Sequence, residues 1–287
     1  MGVITFNGVS SKDIGLEVET FPSYQIPERS YKSITIPGRD GDVLVDTGSF
    51  KNTTRSYKVS MATYNLTSYY ERMNKVVEWL HSSSGYARLE DSYEPGVYRM
   101  AYFKDSLSIE NLFDEAGRAT INFTCKPQRY LKEGETPIRL ETAGQFLVNK
   151  THFTAKPFLR ILKDPRKWCD IDFCTATPKT EVDREHPERS HNMEIKYKIS
   201  IMPSDESTSE HSLIEVDLDC ELQEATCPNP NGTTSFRNMN PYIKFNGGTS
   251  GECPKLEPGY TEVNFTIIED GVPKVRLVEV TPRWYTV

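Results

Sequence analysis

The strongest constraint in this chain is a period of two residues. Ala119, Ile121, Phe123 and Cys125 alternate with Thr120, Asn122 and Thr124. Met193, Ile195, Tyr197, Ile199 and Ile201 alternate with Glu194, Lys196, Lys198 and Ser200, and Ile214, Val216, Leu218 and Cys220 with Glu215, Asp217 and Asp219. Successive side chains of a strand point to opposite faces, so each stretch describes a strand with one dry and one wet face. Similar runs occur at Val3–Asn7, Ile14–Glu19, Ser30–Ile36, Asp42–Asp46, Tyr57–Tyr64, Tyr86–Glu90, Tyr98–Phe103, Leu107–Leu112, Pro157–Leu162, Glu262–Ile268 and Lys274–Val280. Regularly spaced strands of this kind imply antiparallel sheets packed as a sandwich or jelly roll.

The period changes once. Ser68 followed by Glu71 fits a capping box, and Tyr69, Met73, Val76, Val77 and Leu80 recur at helical spacing until Ser82-Ser83-Ser84-Gly85 stops the helix. The polar run Lys132–Pro137, with Gly134 and Pro137, reads as a boundary between a domain at 1–135 and one at 136–287. Between Lys163 and Asn192 the chain is charged and reads as a long loop.

A length of 287 residues suits two domains of ordinary size. The net charge of −7 argues weakly against a nucleic-acid binder, which needs clustered Lys and Arg to displace counterions. The start MGVITFNG lacks the basic opening and apolar run of a signal peptide, and no stretch is long and apolar enough for a membrane span. The expectation is a soluble chain made in a cytoplasm. Six cysteines occur, none in a C-x-x-C pair, so zinc-site spacing is poor. Cys125 and Cys220 keep phase with apolar neighbours and read as buried thiols, whereas Cys169, Cys174, Cys227 and Cys253 leave a disulfide open.

Candidate chemistry is sparse. Pro37-Gly38-Arg39-Asp40-Gly41-Asp42 resembles a glycine-rich ligand loop, but a phosphate cradle opens a helix, and here a second strand follows. Gly38 and Gly41 can take positive φ and Asp40-Gly41 is a turn dipeptide, so a hairpin turn is the better account. Glu215, Asp217 and Asp219 share one strand face and read as solvated rather than as a glycosidase pair. His186 and His191, near Glu185 and Glu188, lack the companions of a metal site. Trp168, Tyr242 and Phe245 could stack on a sugar, although buried aromatics are the commoner explanation. Neither a catalytic constellation, a metal site nor a cofactor is expected, which leaves a β-rich binding or scaffold protein.

Three features together carry a resemblance: ITFNGVSSKDIGLEVE at the start, the hairpin SITIPGRDGDVLVDTGSFKN, and the single capped helix. They are similar to the N-terminal domain of the distal tail protein (Dit) family of long-tailed siphophages. SLIEVDLDCELQEA (212–225), GECPKLEPGYTEVNF (251–265) and the ending VEVTPRWYTV (278–287) resemble the second half of that family. The segments 164–192 and 224–241 have no counterpart in it.

The resemblance implies a non-enzymatic hub in the virion tail tip. Its expected fold class is mainly β: an N-terminal β-sandwich with one helix and a protruding hairpin, plus a C-terminal galectin-like or jelly-roll β-sandwich. It implies a homo-hexameric ring built by the first domain, with the hairpin Pro37–Asp42 as an intersubunit contact. The ring would join the tail-tube protein above to a tail-associated hub or fibre protein below, pass DNA through its channel, and carry receptor-binding or other baseplate proteins. Neither specific nucleic-acid binding nor a membrane span is implied. The competing reading is a carbohydrate-binding module that grips the host surface through its C-terminal sandwich.

Overall fold

The computed structural model describes residues 2–62, 66–105, 110–112, 116–164, 166–178, 191–203, 213–228, 236–248, 252–265, 268–269, 272–273 and 275–287. The fold is mainly β with one α-helix, as the alternation requires. The chain forms two compact units, Met1–Lys132 with Val287, and Glu133–Thr286.

The first unit contains β1 (Ile4–Phe6), β2 (Val9–Ser10), β3 (Glu17–Val18), β4 (Arg29–Ile34), β5 (Val43–Phe50), β6 (Thr53–Ala62), α1 (Leu66–Leu80), β7 (Ala87–Asp91), β8 (Val97–Tyr102), β9 (Glu110–Leu112) and β10 (Ala116–Leu131). One antiparallel sheet runs β2-β1-β7-β8-β10-β6-β3, with β9 beside the start of β10. An isolated bridge between Gly2 and Val18 brings the start of the chain to β3, so the sheet curls back on itself. Inside the curl, Tyr57, Val59 and Met61 of β6 face Ile121, Phe123 and Cys125 of β10, in the phase the sequence predicts.

The helix covers this core with Val76, Trp79 and Leu80. Trp79 packs edge-on to Phe6 and Phe123, with ring centroids 6.2 and 6.3 Å apart. Its indole N–H donates to the carbonyls of Phe6 and Val9, each at 3.2 Å, and so satisfies the polar end of a buried ring. Those carbonyls flank the Asn7-Gly8 turn, where both residues have positive φ (50° and 80°), the geometry of a two-residue hairpin. The expected strand Ile14–Glu19 shortens to β3, because this hairpin and the turn after it occupy residues 7–15.

Two helix expectations need correction. The helix begins at Leu66, so Ser68 lies inside its first turn and is not the N-cap. Val77 is exposed and Trp79 takes the buried position. Residues 77 and 79 lie at opposite edges of the 3.6-period face through Met73, Val76 and Leu80, and packing against Phe6 and Phe123 selects residue 79.

The second unit is a sandwich of two antiparallel sheets. Its strands are β11 (Ile138–Leu140), β12 (Gln145–Asn149), β13 (Phe158–Lys163), β14 (Cys169–Pro178), β15 (His191–Ile201), β16 (Ile214–Asp219), β17 (Glu224–Pro228), β18 (Phe236–Asn238), β19 (Ile243–Gly248), β20 (Gly259–Phe265), β21 (Ile268–Glu269), β22 (Val272–Pro273) and β23 (Val275–Thr281). One sheet runs β11-β23-β13-β16-β17-β18 and the other β12-β20-β14-β15-β19, while β21 and β22 pair only with each other. Leu159, Ile161, Val216, Leu218, Val278 and Val280 from the first meet Ile171, Phe173, Tyr197, Ile199, Val263 and Phe265 from the second. Fully burying each such aliphatic or aromatic side chain contributes about 1.5–3 kcal/mol.

The charged stretch after Lys163 is not simply a loop: it contains β14, paired on both sides by β15 and β20. Cys169, Ile171 and Phe173 face the core while Asp170 and Asp172 alternate with them, so the acids mask a strand. A register shift between Phe173 and Cys174 breaks the strict alternation of β15. Tyr197 pairs with Phe173 but Ile195 pairs with Cys174, and Ile195 is exposed. All six cysteines are free and buried, so none of the four with an open disulfide reading is bridged.

The ending Pro282-Arg283-Trp284 is bound within this unit. Arg283 grips both carboxylate oxygens of Asp219 at 2.8 Å, and its backbone N–H donates to the Gly134 carbonyl at 2.8 Å. A Cβ on Gly134 would stand 2.5 Å from the Trp284 backbone nitrogen. Gly134→Ala is therefore expected to destabilise the unit by about 1–3 kcal/mol through overpacking against backbone. Denaturant unfolding checks this, and an unchanged midpoint would refute the close approach.

Candidate functional site: an exposed hairpin on an ionic root

β4 and β5 form a two-stranded sheet of their own, and the turn between them holds Pro37, Gly38, Arg39, Asp40, Gly41 and Asp42. Gly38 and Gly41 have φ of 81° and 76°, the left-handed region that a bulkier residue resists. Asp42 closes the neck of the loop by accepting the hydroxyls of Ser33 and of Thr35, the latter at 2.8 Å. Those bonds, Ser33's first, hold the Asp42 carboxyl below the usual carboxylate value. No ligand-directed side chain is needed to explain these residues.

The register runs Tyr31 opposite Asp46, Lys32 opposite Val45, Ser33 opposite Leu44 and Ile34 opposite Val43. Directly opposed residues share a face. One face therefore carries Tyr31 and Leu44, and the other carries Ile34, Val43 and Val45. Leu44 is 63% and Tyr31 51% exposed, while Val45, Ile34 and the loop residue Ile36 are also exposed. An isolated two-stranded hairpin is marginal in water, and this one leaves apolar side chains bare on both faces.

β5 runs beyond the expected Asp46 to Phe50 because it absorbs a bulge. Arg29 pairs with Phe50 and Tyr31 with Asp46, which leaves extra residues in β5. Gly48 has φ 71° there, Asp46 accepts its N–H at 2.9 Å, and Thr47 donates its hydroxyl to the Ser30 carbonyl at 2.8 Å. Arg29 pairs with Asp46 at 2.7 Å and Lys51 with Glu28 at 2.8 Å, which clamps the base of the two arms.

Below that base lies a buried ionic cluster that the residue patterns did not single out. Asp91 accepts Arg55 at 3.1 Å and the Tyr57 hydroxyl at 2.8 Å. It also accepts the backbone N–H groups of Tyr93 and Glu94, each at 3.0 Å. Glu94 accepts Arg55 at 3.3 Å and both Arg99 and Arg129 at 2.9 Å. The cluster holds the segment that leads into β4. Arg55 donates to the Ser23 carbonyl at 3.1 Å, Arg129 to the Tyr24 hydroxyl at 2.9 Å, and the Thr54 N–H to the Gln25 side chain at 3.0 Å.

Strand phase carries the signal for these residues. Asp91 extends the buried series Ala87, Leu89, and Arg55 opens the series Tyr57, Val59, Met61. A charge in a buried phase needs a buried partner. Arg129 reaches the cluster because β10 bulges: Cys125 pairs with Ala101, yet Arg129 pairs with Arg99. Pro127 sits in that irregular stretch, where a missing N–H is tolerated.

Burial pushes the Glu94 carboxyl up, but Arg99 and Arg129 outweigh it and hold the carboxyl below its ordinary value of 4.5. A depressed carboxyl stabilises the fold above its unfolded value, and that contribution is lost as pH falls through the folded value. The thermal midpoint is thus expected to drop as pH is lowered below 4.5. Glu94→Gln should lower stability at neutral pH and flatten this acid limb, and an equally steep limb in the variant would exclude Glu94.

The other sequence candidates are dispersed. Asp217 accepts both ends of the Arg160 fork at 2.9 and 3.0 Å, Glu215 pairs with Arg160 at 3.3 Å, and Asp219 is held by Arg283. These carboxylates are ion-paired rather than simply solvated. His186 lies outside the described residues, as does the side chain of His191. Tyr242 and Phe245 pack against the core of the second unit, whereas Trp168 is half exposed on the β13–β14 connection.

Residues 9–125 match the family model described as the phage tail protein RIFT-related domain. Over its whole length the chain is similar in structure to Dit (gp 19.1) of phage SPP1, described as a paradigm of the hub adsorption apparatus in phages infecting Gram-positive hosts. The likeness covers 100% of both chains at 13% identity, with a TM-score of 0.68. It is also similar to a chain of the phage p2 baseplate in its activated conformation with Ca. There the likeness covers 97% of this chain and 96% of that one at 13% identity, with a TM-score of 0.50. No curated protein sequence matches the chain significantly.

Proposed function

We propose that this chain is the ring-forming hub of a siphophage tail tip, a reading supported by the match of residues 9–125 to a phage tail domain and by the whole-length likeness of its fold to a distal tail protein. Its role is structural: six copies close a ring whose channel passes DNA. The ring joins the tail tube on one side to a tail-associated hub or fibre protein on the other. Residues 1–135 build the ring, and the galectin-like sandwich of residues 136–287 offers its surface to receptor-binding or other baseplate proteins.

The observation that carries this reading is the hairpin. Its arms carry exposed apolar side chains on both faces, and it lies in the stretch that matches a phage tail domain. A cyclic ring uses heterologous contacts, in which one surface of each subunit meets a different surface of the next. A two-faced hairpin supplies the first surface and hides its own open edges in doing so.

Mass measurement in solution combined with electron microscopy of single particles tests the proposal. Rings of six times the 32.8 kDa chain mass are expected, alone or on addition of a tail-tube partner. A strict monomer at high concentration under both conditions would overturn it.

A further inference from the structure

The ionic root of the hairpin has a second side. Tyr24, Gln25, Pro27, Thr53, Thr54, Arg55, Arg99, Pro127 and Arg129 line a cleft of about 310 Å³, open mouth included. The centre of a water-sized body has about 10 Å³ in which to sit there. Three of the lining side chains are guanidinium groups, and no Asp or Glu lines the cleft. In the cluster behind it, the ion-pair partners of Arg55, Arg99 and Arg129 among the described residues are Asp91 and Glu94, three positive charges against two negative.

Two donors are also unused. The Nε–H groups of Arg55 and Arg129 are buried and have no acceptor, and the Arg55 side chain is only 4% exposed. A buried N–H without a partner is costly, and more so when it is charged. Water can accept such a bond but leaves the surplus charge in place. A small anion answers both defects at once.

We propose that this cleft is a binding site for one small inorganic anion of chloride size, held by Arg55 and Arg129 beside Arg99. The site needs nothing from ring formation, because all its residues lie in Met1–Lys132. Occupancy ties Tyr24–Pro27, the approach to β4, more firmly to β6 and β10. The narrow space beside the guanidinium groups suits a monatomic ion better than phosphate.

The test is thermal unfolding of the full chain while sodium gluconate is replaced by sodium chloride or bromide at constant ionic strength. The midpoint is expected to rise by about 3 °C once the halide exceeds its dissociation constant roughly tenfold, and phosphate should give no such rise. Arg129→Gln should abolish the halide response. Crystals grown in bromide should show an anomalous peak beside the Arg55 and Arg129 Nε atoms, a readout that does not depend on the variant folding. Equal midpoints in chloride and gluconate, or a water in place of the bromide peak, would overturn the proposal. A halide response that persists in a folded Arg129→Gln protein would do the same.

Discussion

If the chain assembles into the proposed ring, deleting Gly38–Gly41 is expected to leave single subunits with both units still folded. The effect should be nearly complete. Four residues, Thr35, Ile36, Pro37 and Asp42, would remain to connect the arms, so the register from Ile34–Val43 down to Tyr31–Asp46 can persist. What is lost is the reach of the turn and the placing of Ile36 at its neck. The hairpin is a sheet by itself and none of its residues belongs to the hydrophobic core of the first unit, so unfolding midpoints should move little. Light scattering should show the mass fall to one chain, with circular dichroism unchanged. Leu44→Lys paired with Val45→Lys places a charge on each face and should have the same outcome without shortening the loop. Persistence of rings in both variants would remove the hairpin from the subunit contact.

The largest stability effect is expected from Asp91→Ala. This carboxylate accepts four hydrogen bonds, from Arg55, Tyr57 and the backbone of Tyr93 and Glu94. Its loss takes away the acceptor of the buried Tyr57 hydroxyl and the closer of Arg55's two carboxylate partners, leaving Glu94 at 3.3 Å. Breaking a buried pair on one side costs about 3–5 kcal/mol, because the remaining charge stays desolvated. A fall in midpoint on the order of 10 °C should follow for a unit of this size. Asp91→Asn keeps one carbonyl acceptor for the turn and should cost less. A change below about 1 kcal/mol in Asp91→Ala would show that the cluster is solvated and weak. Limited proteolysis adds a second readout: cleavage within 21–50 should accelerate, since Arg55 also holds the Ser23 carbonyl.

The hairpin was readable from its residues because its information is local. Gly38, Gly41 and Asp40 specify a turn, and alternating runs on each side specify arms. The bulge at Thr47–Ser49 was not readable in the same way. It is visible only once Arg29 and Phe50 are seen to pair across it. β14 shows the complementary failure. Its alternating Cys169, Ile171 and Phe173 are a proper strand, but Asp170 and Asp172 gave the segment the look of a polar loop. The helix face was misplaced at Val77 for a further reason: a window of apolar residues fixes a face only to within a residue, and packing on Phe6 and Phe123 selected Trp79.

The β class, the helix, the glycine turn and the motifs that resemble a tail-tip hub are all legible in the residues alone. All of these depend on neighbours within a few positions, where backbone sterics and side-chain phase act directly. Only the tertiary structure decided that Arg55, Asp91, Glu94, Arg99 and Arg129 form one cluster, and that the hairpin stands on it with both faces bare. Asp91, Glu94 and Arg99 come from the end of β7, the turn after it and β8, while Arg55 and Arg129 arrive from β6 and β10, some tens of residues away on either side. A buried charge is tolerable only when an opposite charge arrives beside it, and which one arrives depends on strand order and register.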